Sequence, residues 1–247
     1  GLWSVLGMKV DVRRRALWAC ASAQPQMSKA DPREDGAAAI CNYDLRTRKL
    51  LQKFLLPRDS AKHLLGDLAV ASSGEVYATD SLHPIIYRIR ADGKEIETFL
   101  VSDEFVNLQG LAFSPDEKQL LVADYSKGLF RIDLASKDCL NLQPLGHSTL
   151  MGLDGLYAVG DGSYIAVQNG TTPNRILRIL LSPEARKVES LSVLESNNPI
   201  WDEPTLGVIA EGGFYYNGAS QWGAVSEKGE IAPPEKLRDA IVQRLPL

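Results

Sequence analysis

The sequence lacks the features that define two large classes of binding protein. Its basic residues are scattered apart from Arg13–Arg15, and its formal net charge is −4. A nucleic-acid groove would need a concentrated basic face, which this pattern does not provide. No apolar stretch of the sequence approaches the roughly 18 uninterrupted residues of a membrane-spanning helix. We therefore expect neither a nucleic-acid partner nor a membrane span.

Cysteine and histidine are scarce, with three of each among 247 residues. Cys20, Cys41 and Cys139 form no Cys-Xaa-Xaa-Cys pair and have no histidine at zinc-finger spacing, which argues against a structural metal site of that kind. Cys20 and Cys41 are expected on neighbouring strands. They are either buried free thiols, which we favour, or a disulfide in an oxidising compartment. The compartment stays open, with an extracytoplasmic location favoured.

The most informative feature present is a repeat. Five segments combine two apolar strands with a short polar turn, and they start near residues 6, 66, 109, 154 and 204. The starts lie 43 to 60 residues apart, near the roughly 40 to 50 residues of a four-stranded propeller blade. The longest interval contains the polar stretch 24–36, whose Pro, Asp and Ser residues are typical of a loop. Residues 1–247 are therefore predicted to form a single all-β domain, a β-propeller of four-stranded blades.

The individual strands and the two ends of the chain refine this prediction. Residues 129–134 alternate polar and apolar side chains with the period of two of a half-exposed strand. Only residues 234–242 suggest a helix, and that pattern is weak. Five repeats fit either a five-bladed propeller or a six-bladed one that lacks its N-terminal blade. Residues 241–247 either close the ring by pairing with the first blade or await a missing strand.

The segment 109–124 resembles a motif of the gluconolactonase and senescence-marker-protein superfamily. In that motif Asn-Gly-Leu-Ala is followed by Ser-Pro-Asp-Gly-Lys and by a strand ending in Asp. Residues 66–81 and Asp154-Gly-Leu show a similar resemblance, which covers most of the chain at the level of blades. The resemblance implies a six-bladed fold and a metal-dependent hydrolase of a lactone or ester. It also implies a divalent cation, expected to be Ca²⁺, on the propeller axis.

The resemblance implies metal ligands at the starts of the innermost strands, so Asp154 and Gln109 are the expected ones. The match is partial. Gln109 replaces an Asn, Gly66 replaces another, and the family's Glu has no counterpart. An alternative for Gln109 is a hydrogen bond inside the channel without metal, and an alternative for Asp154 is a turn-forming Asp-Gly pair.

The catalytic base is expected to be Asp67 or His63, both close to the start of the second repeat. The alternatives for Asp67 are a metal ligand or a blade-to-blade hydrogen bond, and a surface or capping role is the alternative for His63. The substrate-binding residues are expected at the ends of strands and in the last repeat, as Asn169, Asn217, Gln221 and Trp222.

Asn169 shares its place at the end of a second strand with Asp80 and Asp124. This repetition also fits a structural role, in which each side chain hydrogen-bonds the backbone of the next turn. A second function therefore stays open beside the hydrolase. It is a non-catalytic propeller that binds a small molecule or a protein at the same axial mouth.

Overall fold

A computed structural model describes residues 2–27, 30–59, 61–226 and 229–247. The chain divides into two compact units, Gly1–Leu111 and Ala112–Leu247. Among the described residues the only helical segments are two three-residue 3-10 turns, Trp222–Ala224 and Pro234–Lys236. Neither turn is long and apolar enough to cross a membrane, as expected from the sequence.

The described residues contain nineteen strands. The first eight are β1 (Ser4–Asp11), β2 (Ala16–Ser22), β3 (Ala38–Asp44), β4 (Leu50–Leu55), β5 (Leu65–Val70), β6 (Val76–Asp80), β7 (Ile85–Ile89) and β8 (Glu97–Val101). The boundary between the units falls within β9 (Leu108–Phe113). The others are β10 (Gln119–Asp124), β11 (Gly128–Asp133), β12 (Cys139–Leu142), β13 (Leu153–Ala158), β14 (Ser163–Gln168), β15 (Arg175–Leu181), β16 (Val188–Ser196), β17 (Gly207–Ala210), β18 (Gly213–Asn217) and β19 (Val242–Pro246).

These strands form five sheets of consecutive antiparallel neighbours. Strands β1 to β4, β5 to β8, β9 to β12 and β13 to β16 each form a four-stranded sheet, and β17 to β19 form a three-stranded one. Each sheet is a meander, because every strand pairs with its neighbour in the chain. The five sheets are the blades of a β-propeller, which confirms the predicted fold class.

The central strands are buried on both faces. Leu120, Leu121, Val122 and Ala123 of β10 are all fully buried, which explains why this strand has a continuous apolar sequence instead of an alternating one. In the first unit a core cluster joins side chains of the first two sheets, including Trp18, Phe54 and Tyr87. In the second unit two clusters pack between neighbouring sheets, one around Leu156 and Leu177 and one around Phe214 and Tyr216.

Cys20 and Cys41 lie on the neighbouring strands β2 and β3 but point to opposite faces of the sheet. Cys20 pairs with Ile40, whereas Cys41 pairs with Ala19, one residue along the strand. Successive side chains of a strand alternate between faces, so the two sulfurs are separated by the sheet itself. All three cysteines are free, and burial raises the pKa of the Cys20 thiol. The favoured prediction of buried free thiols is confirmed for this pair.

Three local predictions concern the C-terminal residues and the stretch 24–36. The helix suggested for residues 234–242 is wrong beyond a single 3-10 turn, because Val242 begins β19. The final residues pair with β18 and so complete the fifth sheet. The stretch 24–36 contains turns and no strand in its described part, and two of its residues, Ser28 and Lys29, lie outside the described residues.

Candidate functional site

Polar residues at the ends of second strands tie neighbouring loops together. Asp80 Oδ1 accepts hydrogen bonds from the backbone N–H of Leu64 at 3.3 Å and of Leu82 at 3.0 Å. Asp124 Oδ1 accepts from the N–H of Ser126 at 2.9 Å. A carboxylate two residues before a backbone donor forms this local turn readily. The prediction of a backbone-binding role for Asp80 and Asp124 is therefore confirmed.

Asp154, the predicted metal ligand of the second unit, is hydrogen-bonded to the side chain of Asn169. It is the second residue of β13, and Asn169, which follows β14, donates from Nδ2 to Asp154 Oδ2 at 2.8 Å. The same Nδ2 donates to the Pro204 carbonyl at 2.9 Å. Sheet pairing of β13 with β14 brings the start of one strand to the end of the other. Asn169 thus joins Asp154 to the segment that leads into β17.

The side-chain oxygen of Asn169 is buried and has no hydrogen-bond partner among the described residues. A buried polar group without a partner costs about 1 to 3 kcal/mol of stability. Both hydrogen bonds made by this side chain use its nitrogen as donor, so the oxygen remains available as an acceptor or a ligand. An amide oxygen beside a carboxylate is a donor set that suits a hard cation.

Glu203 adds a second carboxylate to this region. Burial raises its pKa, a hydrogen bond from Ser220 lowers it, and the charge of Asp202 raises it again. The Ser220 Oγ donates to Glu203 Oε2 at 3.4 Å. The pKa of Tyr125 is also raised, first by burial and then by the charges of Glu203 and Asp154. The charges of Glu203 and Asp154 therefore both act on the partly buried phenol of Tyr125.

Gln109, the other predicted metal ligand, lies in the first unit. Its Nε2 donates to Asn107 Oδ1, and its Oε1 accepts from Ser81 Oγ at 3.5 Å. Ser81 also explains the glycine at position 66, because a Cβ there would lie 2.6 Å from Ser81 Oγ. Gln109 and Asp154 belong to different units, so their joint role as ligands stays a prediction.

Asp67, a predicted base, forms an ion pair with Lys9. Lys9 Nζ lies 2.9 Å from Asp67 Oδ2 and 3.1 Å from Oδ1, and the Asp67 side chain is only 1% exposed. The pKa of Asp67 is raised by burial, against the lowering effect of the Lys9 charge and hydrogen bond. Its Oδ1 also accepts from the Leu68 N–H at 2.8 Å. This carboxylate is held by three donor contacts, and its role as a base stays a prediction.

His63, the other predicted base, belongs to a cluster of imidazoles and carboxylates. His63 Nδ1 lies 2.7 Å from Asp80 Oδ2, and its Nε2 lies 3.4 Å from Asp59 Oδ1. The ring of His83 lies 4.9 Å from that of His63 between centroids. His63 is buried, whereas His83 is partly exposed. One potential ligand atom from each of His63, Asp80 and His83 lies within 4.8 Å of the other two.

The predicted substrate-binding residues of the last repeat differ in their hydrogen bonds and in their exposure. Asn217 ends β18, and its Oδ1 accepts from the Ala219 N–H at 3.0 Å. Gln221 binds the backbone of Arg238 through both its amide oxygen and its amide nitrogen. Trp222 follows it and is 47% exposed. Asn217 and Gln221 therefore have structural bonds already, and contact with a substrate stays a prediction for all of them.

Sequence reasoning missed Glu203, His83 and Lys9. Each one acts through a partner on another loop or strand, as Lys9 does with Asp67, 58 residues away. One sequence signal was available for His83. It lies three residues after Asp80, on the loop that this strand-ending aspartate organises.

Comparison with known proteins supports the fold. No protein family and no curated protein matches the sequence. A chain of a nidogen/laminin complex is similar with 15% identity and a TM-score of 0.63, over 90% of this chain and 74% of that one. A luciferin-regenerating enzyme is similar with 13% identity and a TM-score of 0.61, over 88% and 70%. Virginiamycin B lyase from Staphylococcus aureus has 14% identity and a TM-score of 0.60, over 98% and 84%.

These likenesses show the β-propeller fold alone, because propellers with such low identity carry unrelated activities. They do not assign the chain to the gluconolactonase and senescence-marker-protein superfamily. The activity that the resemblance implies is therefore a matter for proposal.

Proposed function

We propose that this protein is a hydrolase of a lactone or ester that depends on a divalent cation, expected to be Ca²⁺, bound near Asp154. The observation that carries the proposal is the buried Asn169 oxygen without a hydrogen-bond partner, next to the Asp154 carboxylate. An unsatisfied buried oxygen in a group of acidic side chains is what a cation would satisfy.

The side chains around Asp154 suit such an ion. Asp154 and Asn169 would hold it, and Glu203 lies in the same part of the second unit without being a ligand. Carboxylate and amide oxygens favour Ca²⁺ or Mg²⁺ over softer metals.

The protein's own groups would divide the work of hydrolysis. Asn169 Nδ2 orients Asp154 by donating to its Oδ2. Glu203, whose pKa is raised by burial, binds a proton more readily than an exposed glutamate and is the carboxylate suited to accept one from an attacking water. A bound divalent cation would supply polarisation of the carbonyl oxygen.

A panel of lactones and esters, assayed with added Ca²⁺ and with a chelator, tests the proposal. We expect hydrolysis that the chelator abolishes. Glu203→Gln should reduce kcat about 100-fold, because it removes a proton acceptor while it preserves size. The matched control is Asp138→Asn, an exposed aspartate of the same unit, and it should retain the wild-type rate. Calcium-independent hydrolysis, or equal rates in all variants, would overturn the proposal.

A non-catalytic binding propeller is the second candidate. It is favoured by the state of the predicted base Asp67, which is paired with Lys9, and by the contact of Gln109 with Asn107. Saturable Ca²⁺ binding without hydrolysis of any compound in the panel would support this candidate over the hydrolase.

A further inference from the structure

We propose that His63, His83 and Asp80 form a second metal site, selective for a transition-metal ion of the Zn²⁺ class and separate from the site near Asp154. The site would lie in the first unit, on the loops that precede β5 and follow β6. It goes beyond the proposed function, because nothing in the hydrolase proposal uses these two imidazoles as ligands.

The donor atoms of these three residues are the first argument for a metal site. Two imidazoles and a carboxylate are the donor set that Zn²⁺ uses in many open sites, with a fourth position left for water or another ligand. One donor atom of each residue lies within 4.8 Å of the other two. Zinc ligands at about 2.0 to 2.2 Å from the ion are separated by about 3 to 4 Å, so small side-chain rotations suffice to close the site.

The hydrogen bonds of the cluster show how the rings are oriented. His63 Nδ1 lies 2.7 Å from the fully buried Asp80 Oδ2. His83 Nε2 lies 2.9 Å from the Lys62 carbonyl, and a carbonyl can only accept, so this nitrogen carries the proton and Nδ1 of His83 keeps its lone pair. A backbone carbonyl that fixes the tautomer of a ligand histidine in this way is a common feature of metal sites.

Asp59 completes the cluster on the solvent side. Its Oδ1 lies 3.4 Å from His63 Nε2, and its side chain is 59% exposed. It therefore faces the ring nitrogen of His63 that points away from Asp80, and it can fix the tautomer in which Nδ1 is the ligand atom. His83 is also partly exposed. The buried residues Asp80 and His63 thus form the floor of the site, and the exposed ones leave a path by which an ion can enter.

The other blades provide an internal comparison. Asp124 ends β10 as Asp80 ends β6, and it binds the backbone of its following turn. The positions that correspond to His63 and His83 in that blade are Val106 and Lys127. The turn after the second strand is therefore held by the aspartate alone, and the two histidines are not needed for it. The pair of imidazoles is an addition to the second blade that the fold does not require.

Titration of Zn²⁺ into metal-free protein by calorimetry tests this site. We expect one high-affinity ion per wild-type chain and at least ~10-fold weaker binding in His83→Ala, since even outer contacts of a metal site are worth about 10- to 100-fold in affinity. The control is His147→Ala, which removes the exposed third histidine of the chain and should bind as the wild type does. His83 is partly exposed, so its replacement should leave the fold intact, as circular dichroism would check.

Co²⁺ provides a second readout, because its visible absorption reports ligand type and geometry. The wild type and Asp154→Asn should give the same spectrum, and His83→Ala should lose it. Failure of wild-type protein to bind Zn²⁺, or equal binding by His83→Ala, would overturn the inference. Loss of Ca²⁺ binding in Asp154→Asn with an unchanged Co²⁺ spectrum would separate this site from the one in the proposed function.

Discussion

At the scale of the residue, Asp67 is subject to two opposing effects. Burial favours its protonated form and raises its pKa, while Lys9 favours the carboxylate. Because the net pKa is raised, the folded protein binds this proton more tightly than the unfolded chain. The carboxyl group therefore lowers stability as the pH rises from its unfolded pKa to its folded pKa.

Replacement of Lys9 by methionine should show this balance. Lys9→Met removes the group that lowers the Asp67 pKa, so the folded pKa rises further. The variant should lose about 3 kcal/mol of unfolding free energy at pH 7, where it must bury an unpaired carboxylate or protonate it. The loss should shrink below about pH 4, where the unfolded chain is protonated as well.

Urea unfolding at the two pH values measures this effect. Lys94→Met, which removes an exposed lysine of the same unit, is the control and should change stability by less than about 0.5 kcal/mol. A loss in Lys9→Met that is the same at both pH values would contradict the account of the ion pair.

Residue roles were predictable where a local pattern determines them. Asp80 and Asp124 end strands before turns, and their backbone contacts followed from that position alone. Glu203 and His83 were not predictable in this way, because their neighbours come from distant parts of the chain. Gly66 is an intermediate case. Its departure from the family pattern was visible, but its cause, the Ser81 hydroxyl, required the structure.

At the scale of the element, the first strand of each sheet begins within two residues of its predicted position, except in the fifth repeat. The structure begins β5, β9 and β13 within one residue of the predicted positions 66, 109 and 154, but β17 begins at Gly207 instead of residue 204. Pro204 has no N–H to donate to a ladder. Thr205 does bond the Asn217 carbonyl, but regular pairing starts only with Gly207 and Tyr216.

The last strand, β19, is attached by a polar group that its sequence did not reveal. Gln243 Oε1 lies 2.6 Å from Trp201 Nε1 and 3.1 Å from Tyr216 OH. Tyr216 OH also lies 2.8 Å from Glu195 Oε2. One amide oxygen therefore links the third strand of the fifth sheet to a buried tyrosine and to the loop that follows β16.

Gln243→Leu should weaken this attachment. The indole N–H of Trp201 would lose its nearest acceptor and keep the Tyr216 hydroxyl at 3.0 Å, at a cost of about 0.5 to 1.5 kcal/mol. Thermal unfolding should show a lower Tm, and tryptophan fluorescence should change because Trp201 is a direct partner. Gln143→Leu, at an exposed position after β12, should leave both nearly unchanged. A Gln243→Leu variant as stable as the wild type would contradict this role.

At the scale of the whole molecule, the repeat was the most reliable guide. A spacing of 43 to 60 residues between starts predicted five sheets, and five sheets are present. The function is harder to predict from the repeat than the fold is, because propellers share one core pattern and differ in the few side chains at their loops.

The central claim is that the side-chain oxygens of Asp154 and Asn169 bind a divalent cation. Calorimetric titration of Ca²⁺ into metal-free protein tests this claim most directly. We expect saturable binding that falls at least ~10-fold in Asp154→Asn, because Ca²⁺ affinity depends on the number of charged ligands. Asp138→Asn should bind as the wild type does. Folded wild-type protein that binds no Ca²⁺, or an Asp154→Asn variant that binds it equally well, would contradict the account.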